Sequence, residues 1–112
     1  MESRPVLLVA GVDCAKGKEG EFNHWYNSTF PEIMMRAPGV VRVDRYERLE
    51  DNDEYPAFLS VVQIESEDAV EAMEKSDAVA ELADIMLKQS PKWEMKVRWV
   101  VHYRRFFSTE PS

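Results

Sequence analysis

The stretch EFNHWYNSTFPEIMMRAPGVVRVDRY, residues 21–46, decides the fold. Apolar and aromatic residues recur at helical spacing through its first half, which predicts an amphipathic helix. Pro31 removes a backbone donor and predicts a break or kink in that helix, and Pro38-Gly39 predicts the turn after it. From Val40 onward, apolar and polar residues alternate as in a strand. The stretch is therefore expected to be a helix, a turn and a strand.

The chain on either side of this stretch completes a β-α-β-β-α-β order. The predicted strands are residues 6–12, 40–49, 55–64 and 93–107. The first is a continuous apolar run, which is typical of a strand buried on both faces, and the second and third form a hairpin. Ser66 and Ser76 are expected to cap the two parts of the second helix, which Ser90-Pro91 ends. The last strand is unusually long, because strands most often have about 5–6 residues.

This order predicts an α+β, ferredoxin-like single domain over residues 1–112, with a four-stranded antiparallel sheet and both helices on one face. We expect the helix-covered face to carry the most apolar residues: Val41, Val43, Val97, Trp99 and Val101. The other face would carry Arg42, Asp44, Tyr46, Arg98, Val100 and His102. The first and third strands make that face too apolar to be left in water, so pairing two copies in a homodimer would cover it. The long last strand would also cover a sheet edge.

Composition excludes several classes of function. The net charge of −7 argues against a nucleic-acid-binding protein and against binding to an anionic membrane surface. The apolar run near the N-terminus is too short for a membrane span and lacks a signal-peptide pattern, so we expect a cytoplasmic protein. The single cysteine cannot form an intramolecular disulfide, and no glycine-rich phosphate loop or His-x-x-x-His pair is present. We therefore expect no metal and no cofactor.

One set of residues resembles a known family. The set is Phe22, Asn23, Trp25, Tyr26, Pro31, Pro38, Gly39, Arg45 and Tyr46. With the element order that follows it, it resembles the dimeric α+β barrel superfamily, and within it the EthD-like small proteins. The resemblance implies a homodimer and chemistry of the kind found in relatives of this fold: cofactor-free monooxygenases, polyketide cyclases, lactone isomerases and haem-degrading enzymes. Many relatives carry a histidine two positions before the proline, where this chain has Thr29.

His102 is the leading catalytic candidate, because histidine titrates near neutral pH and can act as a general acid or base. We expect it on the barrel-facing side of the last strand, with Asp44 and Tyr46 facing the same way from the second strand. In a dimeric barrel, Asp44 of one copy would then approach His102 of the other. The alternative is a structural polar pair at the interface.

The candidate substrate-binding residues are aromatic or cationic. A flat pocket between helix and sheet could be lined by Trp25, Tyr26, Phe30, Trp99 and Tyr103, although an aromatic stripe at helical spacing is also typical of plain core. Arg45 is expected under the helix, where it needs a partner such as Glu32 or a ligand oxyanion, unless its charged head reaches water at the end of the strand. Arg45 or Arg98 would stabilise an enolate or phenolate oxygen.

Three functional hypotheses follow. In the first, the protein binds a small aromatic or carbonyl-bearing metabolite and catalyses a cofactor-independent oxygenation, isomerisation or cyclisation. In the second, it binds a small molecule without converting it, as the missing family histidine suggests. In the third, it handles haem, with His102 as an axial ligand.

Overall fold

The computed structural model describes residues 4–110 and has the predicted ferredoxin-like architecture. The elements are β1 Val6–Asp13, α1 Glu19–Met34, β2 Val40–Glu47, β3 Phe58–Ile64, α2 Val70–Glu74, α3 Asp77–Gln89 and β4 Lys96–Arg104. The strands form one antiparallel sheet in the order β2-β3-β1-β4. No helix within residues 4–110 has the length and apolar character needed to cross a bilayer.

Strand β3 shows which sheet face the helices cover. Its residues alternate between fully buried and half-buried, and the buried set is Phe58, Ser60, Val62 and Ile64. Val6 and Val12 of β1 stand opposite Ile64 and Phe58 in the register and are also buried. Residues opposite each other in antiparallel strands point to the same face. This set therefore defines the helix-covered face, and the prediction that the helices share one face is confirmed.

Helix α1 continues through Pro31, so the predicted break there is wrong. The helix ends three residues later at Met34, and the Met35 amide donates to the Pro31 carbonyl at 2.9 Å. An internal proline removes one backbone hydrogen bond. The buried side chains of Ile33 and Met34 pack into the core beyond it and hold the last turn in place. The turn predicted at Pro38-Gly39 is present, with Gly39 at φ +82°.

Strand β4 is shorter than predicted and contains a bulge. Residues Ser90–Trp93 form a 3₁₀ turn and Glu94 adopts a left-handed conformation (φ 51°), so the strand begins only at Lys96. Val97 stands opposite Val12, but Trp99 stands opposite Gly11, which leaves Arg98 as an extra residue. One extra residue moves every later side chain to the other face.

This shift overturns part of the predicted face assignment. Val97 does lie on the helix-covered side, as expected, but Trp99 and Val101 lie on the side without helices. Val100 and His102, which were predicted on the side without helices, lie on the helix-covered side, because they pair with Ala10 and Leu8 of β1.

Strand β2 has a similar irregularity near its start. Val40 stands opposite Ile64 and Arg42 opposite Gln63, so Val41 is the extra residue and is 46% exposed. The prediction that Val41 is core is therefore wrong. After the bulge the predicted phase is correct: Val43 and Arg45 stand opposite buried residues of β3.

The second helix is divided as expected. The Ser76 hydroxyl accepts a hydrogen bond from the Val79 amide at 3.3 Å and caps α3. Ser66 precedes a short 3₁₀ turn, Glu67–Ala69, and makes no side-chain cap bond there. Only the cap predicted at Ser76 is therefore formed through the side chain.

Candidate functional site

The sheet face without helices, named here the open face, is mainly apolar. Its residues are Leu7, Val9, Gly11, Arg42, Asp44, Tyr46, Leu59, Val61, Gln63, Trp99, Val101 and Tyr103. Large rings are exposed on it, with Tyr46 at 55% and Trp99 at 40%. Two of its charged groups, Arg42 and Asp44, pair with each other at 2.8 Å, and this partner raises the pKa of Arg42; Asp13 and Lys96 stand opposite each other at one end of the face.

A cavity of about 380 Å³, named here the Trp99 groove, opens at one end of the open face. It is lined by Tyr46, Glu47, Arg48, Leu49, Glu50, Tyr55, Pro56, Leu59 and Trp99. Gly11 lies between two of these walls: a Cβ there would be 2.6 Å from Pro56 Cγ and 2.9 Å from Trp99 Cε2. The groove has the size and apolar character of a small-molecule site.

Arg98 holds the loop between β2 and β3 that forms one wall of the groove. Its Nη2 donates to the Glu54 carbonyl at 2.7 Å and its Nη1 to the Asp53 carbonyl at 3.1 Å. Its Nη1 also lies 3.5 Å from the carboxylate of Asp13, whose other oxygen accepts from the Ala57 amide at 2.7 Å. Arg98, which was predicted to bind substrate, therefore positions the groove wall.

Arg45 lies under α1, as predicted, but not against a carboxylate. Its Nη1 donates to the amide oxygens of Asn23 at 2.8 Å and Asn27 at 2.9 Å. Its guanidinium carbon lies 4.0 Å from the centre of the Tyr26 ring, at cation–π distance. Its Nε and Nη2 are buried with no hydrogen-bond partner among residues 4–110. Burial lowers the pKa of Arg45, and nearby Tyr26 opposes that shift.

The aromatic residues of α1 belong to the core. Tyr26 accepts a hydrogen bond from the Ser60 hydroxyl at 2.9 Å, and burial raises the pKa of its phenol. Trp25 stacks on Trp93 at 4.6 Å, and its indole nitrogen donates to Gln89 at 2.7 Å. Phe30 packs against both core clusters.

The single pocket predicted from these residues together with Trp99 and Tyr103 is wrong. The sheet separates the two groups, because Trp99 and Tyr103 point to the open face and the aromatic residues of α1 lie on the other side. Trp99 alone of the five lines the Trp99 groove.

The three predicted catalytic residues are also divided by the sheet. His102 lies on the helix-covered side, where its Nε2 is 3.2 Å from the Glu74 carboxylate. Asp44 is on the open face, paired with Arg42. The prediction that His102 faces the barrel interior is therefore wrong, for the same reason as for Trp99. Tyr46 is the member of the three that lines the groove.

Sequence reasoning did not identify the rest of the groove lining. Leu59, Pro56 and Tyr55 looked like ordinary residues at the start of a strand. Gly11 carried a usable signal, because glycine inside a strand often marks a close approach of another group. Within residues 4–110 no three histidine, cysteine or acidic side chains come together as metal ligands.

No family model matches the sequence, and no curated protein matches it. Solved structures do match. An EthD family protein from Bacillus halodurans is 10% identical, with 91% of this chain and 99% of that one covered and a TM-score of 0.67. A candidate antibiotic biosynthesis monooxygenase from Bordetella bronchiseptica is 18% identical, with 93% and 99% covered and a TM-score of 0.67. A dimeric ferredoxin-like protein of unknown function from Thermobifida fusca is 10% identical, with 94% and 92% covered and a TM-score of 0.63.

The chain shares the ferredoxin-like α+β fold of these solved structures. The resemblance seen in the sequence is thereby confirmed at the level of fold. Sequence identities of 10–18% show a shared fold but do not show that the proteins catalyse the same reaction.

Proposed function

We propose that the protein is a homodimer that binds a small, partly aromatic or carbonyl-bearing metabolite in the Trp99 groove and converts it without a cofactor. The observation that carries this proposal is the groove itself, an apolar cavity of about 380 Å³ on the sheet face that the helices leave open. A second copy packed on that face would enclose the groove. The dimeric neighbour of the same fold supports this assembly.

The groove offers groups for proton transfer. The phenols of Tyr46 and Tyr55 can donate hydrogen bonds to a substrate oxygen, and the carboxylate of Glu50 can accept a proton. Isomerisation and cyclisation require only such transfers. Oxygenation would use dioxygen as oxidant and the substrate itself as reductant: a phenol ring would become a quinone, one oxygen atom would form the new carbonyl, and the two hydrogens lost by the ring and its hydroxyl would leave with the other oxygen atom as water. The neighbour that is named as a candidate monooxygenase favours this last type.

A non-catalytic binding protein is the second candidate. Thr29 stands where many relatives carry a histidine, and His102 lies on the other side of the sheet from the groove. Mass spectrometry of the compound recovered after incubation separates the two candidates. An enzyme returns a product of changed mass or structure, and a binding protein returns its ligand unchanged.

The assembly is tested by placing a charge on the open face. Val101→Glu, at a position 37% exposed in the single chain, should shift native mass spectra from dimer to monomer, because an unpaired carboxylate at an apolar interface is strongly unfavourable. Leu87→Glu on α3, at 77% exposure, is the matched control and should leave the dimer intact. If the wild-type protein is monomeric at micromolar concentration, the proposal that a second copy encloses the groove is wrong.

A further inference from the structure

We propose that the ligand of the Trp99 groove is an aromatic molecule carrying a positive charge, such as a protonated amine, and that the groove discriminates against anions. This inference rests on the groove being the ligand site proposed above. The first ground is that the two arginines next to the groove, Arg48 and Arg98, already bind other groups of the protein.

Arg48 lines the groove, but its guanidinium is fully engaged by the loop between β2 and β3. Its Nε donates to the Glu50 carbonyl and its Nη1 to the Tyr55 carbonyl, both at 2.6 Å. Its Nη2 lies 3.7 Å from the Asp53 carboxylate, and the side chain is only 18% exposed. An anionic ligand would have to displace these partners to pair with it.

Arg98 is engaged in the same way, by two loop carbonyls and Asp13. Arg42 on the open face is paired with Asp44 at 2.8 Å, and the exposed Lys96, which stands opposite Asp13 on that face, does not line the groove. A second copy packed on the same face would bring the same residues. Within residues 4–110, Arg48 is the one cation that lines the groove, and it is already engaged in either copy.

The rim of the groove is acidic. Residues 48–55 contain four carboxylates and one arginine, and Glu50 lines the groove itself, whereas Glu47 stands opposite Phe58 and so points to the helix-covered side. A cleft lined by charges of one sign attracts ligands of the other sign. The rings of Trp99 and Tyr46 add to this, because the face of an aromatic ring attracts a cation within about 6 Å of its centre. Apolar walls, a negative rim and open ring faces together fit an aromatic amine.

The test uses three compounds that share the naphthalene ring and carry a negative, a neutral and a positive substituent: 2-naphthoate, 2-naphthamide and (2-naphthylmethyl)trimethylammonium. Binding is followed by ¹H–¹⁵N NMR of the three tryptophan indoles, with the Trp99 signal assigned from Trp99→Phe. The Trp25 indole, hydrogen-bonded to Gln89, is an internal reference that should not move. We expect the ammonium compound to bind at least tenfold tighter than the carboxylate at about 20 mM salt, with the amide between them. The ratio should narrow at about 0.5 M salt.

Two further variants separate a local effect from the net charge. Glu50→Gln/Asp51→Asn should reduce the preference several-fold, whereas Glu32→Gln/Glu110→Gln removes the same charge away from the groove and should preserve it. A carboxylate that binds as tightly as the ammonium compound, or an equal effect of both double variants, would overturn the charge preference. If none of the compounds moves the Trp99 signal, the groove itself is not the ligand site.

Discussion

Replacing Arg45 with lysine should destabilise this protein more than replacing it with methionine, although lysine keeps the charge. The Arg45 side chain reaches its two asparagine partners only through Nη1, at 2.8 and 2.9 Å. A lysine nitrogen would stand near the position of the guanidinium carbon, short of Nη1 by about one C–N bond of 1.33 Å. Both hydrogen bonds would then be lost, because the lysine side chain is too short to reach the two asparagines.

The expected magnitudes follow from these contacts. Two hydrogen bonds to a charged group contribute about 1.5–3 kcal/mol each. Lysine loses them while leaving a strongly hydrated ammonium among aromatic rings, so the free energy of unfolding should fall by about 3–4 kcal/mol. Methionine loses the same bonds but also removes a half-buried charge that no carboxylate within residues 4–110 neutralises, and burying such a charge is unfavourable. We expect Arg45→Met to remain within about 1–2 kcal/mol of the wild type.

The assay is urea unfolding followed by circular dichroism at one fixed protein concentration, because dimer stability depends on concentration. The controls are Arg36→Lys and Arg36→Met, at an exposed arginine that pairs with Glu81 at 2.8 Å; both should change stability by less than about 1 kcal/mol. A fully stable Arg45→Lys together with a strongly destabilised Arg45→Met would refute the reasoning. That result would mean that the charge at Arg45, and not the planar group, is what the fold requires.

Three other predictions concern the groove and the core. Gly11→Ala should lower the free energy of unfolding by about 1–3 kcal/mol and shift the Trp99 indole signal, because its Cβ would meet Pro56 at 2.6 Å. Gly20→Ala is the control and should have neither effect, because a Cβ there has no atom within 4 Å. Equal behaviour of the two variants would contradict the groove geometry. Arg98→Ala should speed amide hydrogen exchange in residues 48–57, because two loop carbonyls lose their donor. Unchanged exchange would show that the loop keeps its conformation without Arg98. Burial raises the pKa of Tyr26, so the unfolded chain ionises first as the pH rises through about 10. Urea unfolding should then show stability falling above about pH 9.5 in the wild type and falling less in Tyr26→Phe; an identical fall in both would exclude Tyr26 as the cause.

The sequence alone determined the order of elements and hence the fold. Helix α1 and strand β3 were predictable because their apolar spacing, of 3.6 and 2 residues, is a local property that burial on one side imposes. The place of Arg45 under the helix was also predictable, because no irregularity separates it from Val43 in β2. The cap at Ser76 and the turn at Gly39 follow from local backbone chemistry in the same way.

The tertiary structure decided which side of the sheet carries the candidate site. Arg98 is the extra residue in β4, and its position depends on how that strand registers against β1, which no local pattern records. The bulge places Trp99 on the open face and His102 on the helix-covered side, which is the reverse of the predicted face for both. The groove likewise joins Gly11, Tyr46 and Trp99 from three different strands. Such a site exists only once the strands have paired, because its geometry comes from the register between them and not from the order of residues along any one of them.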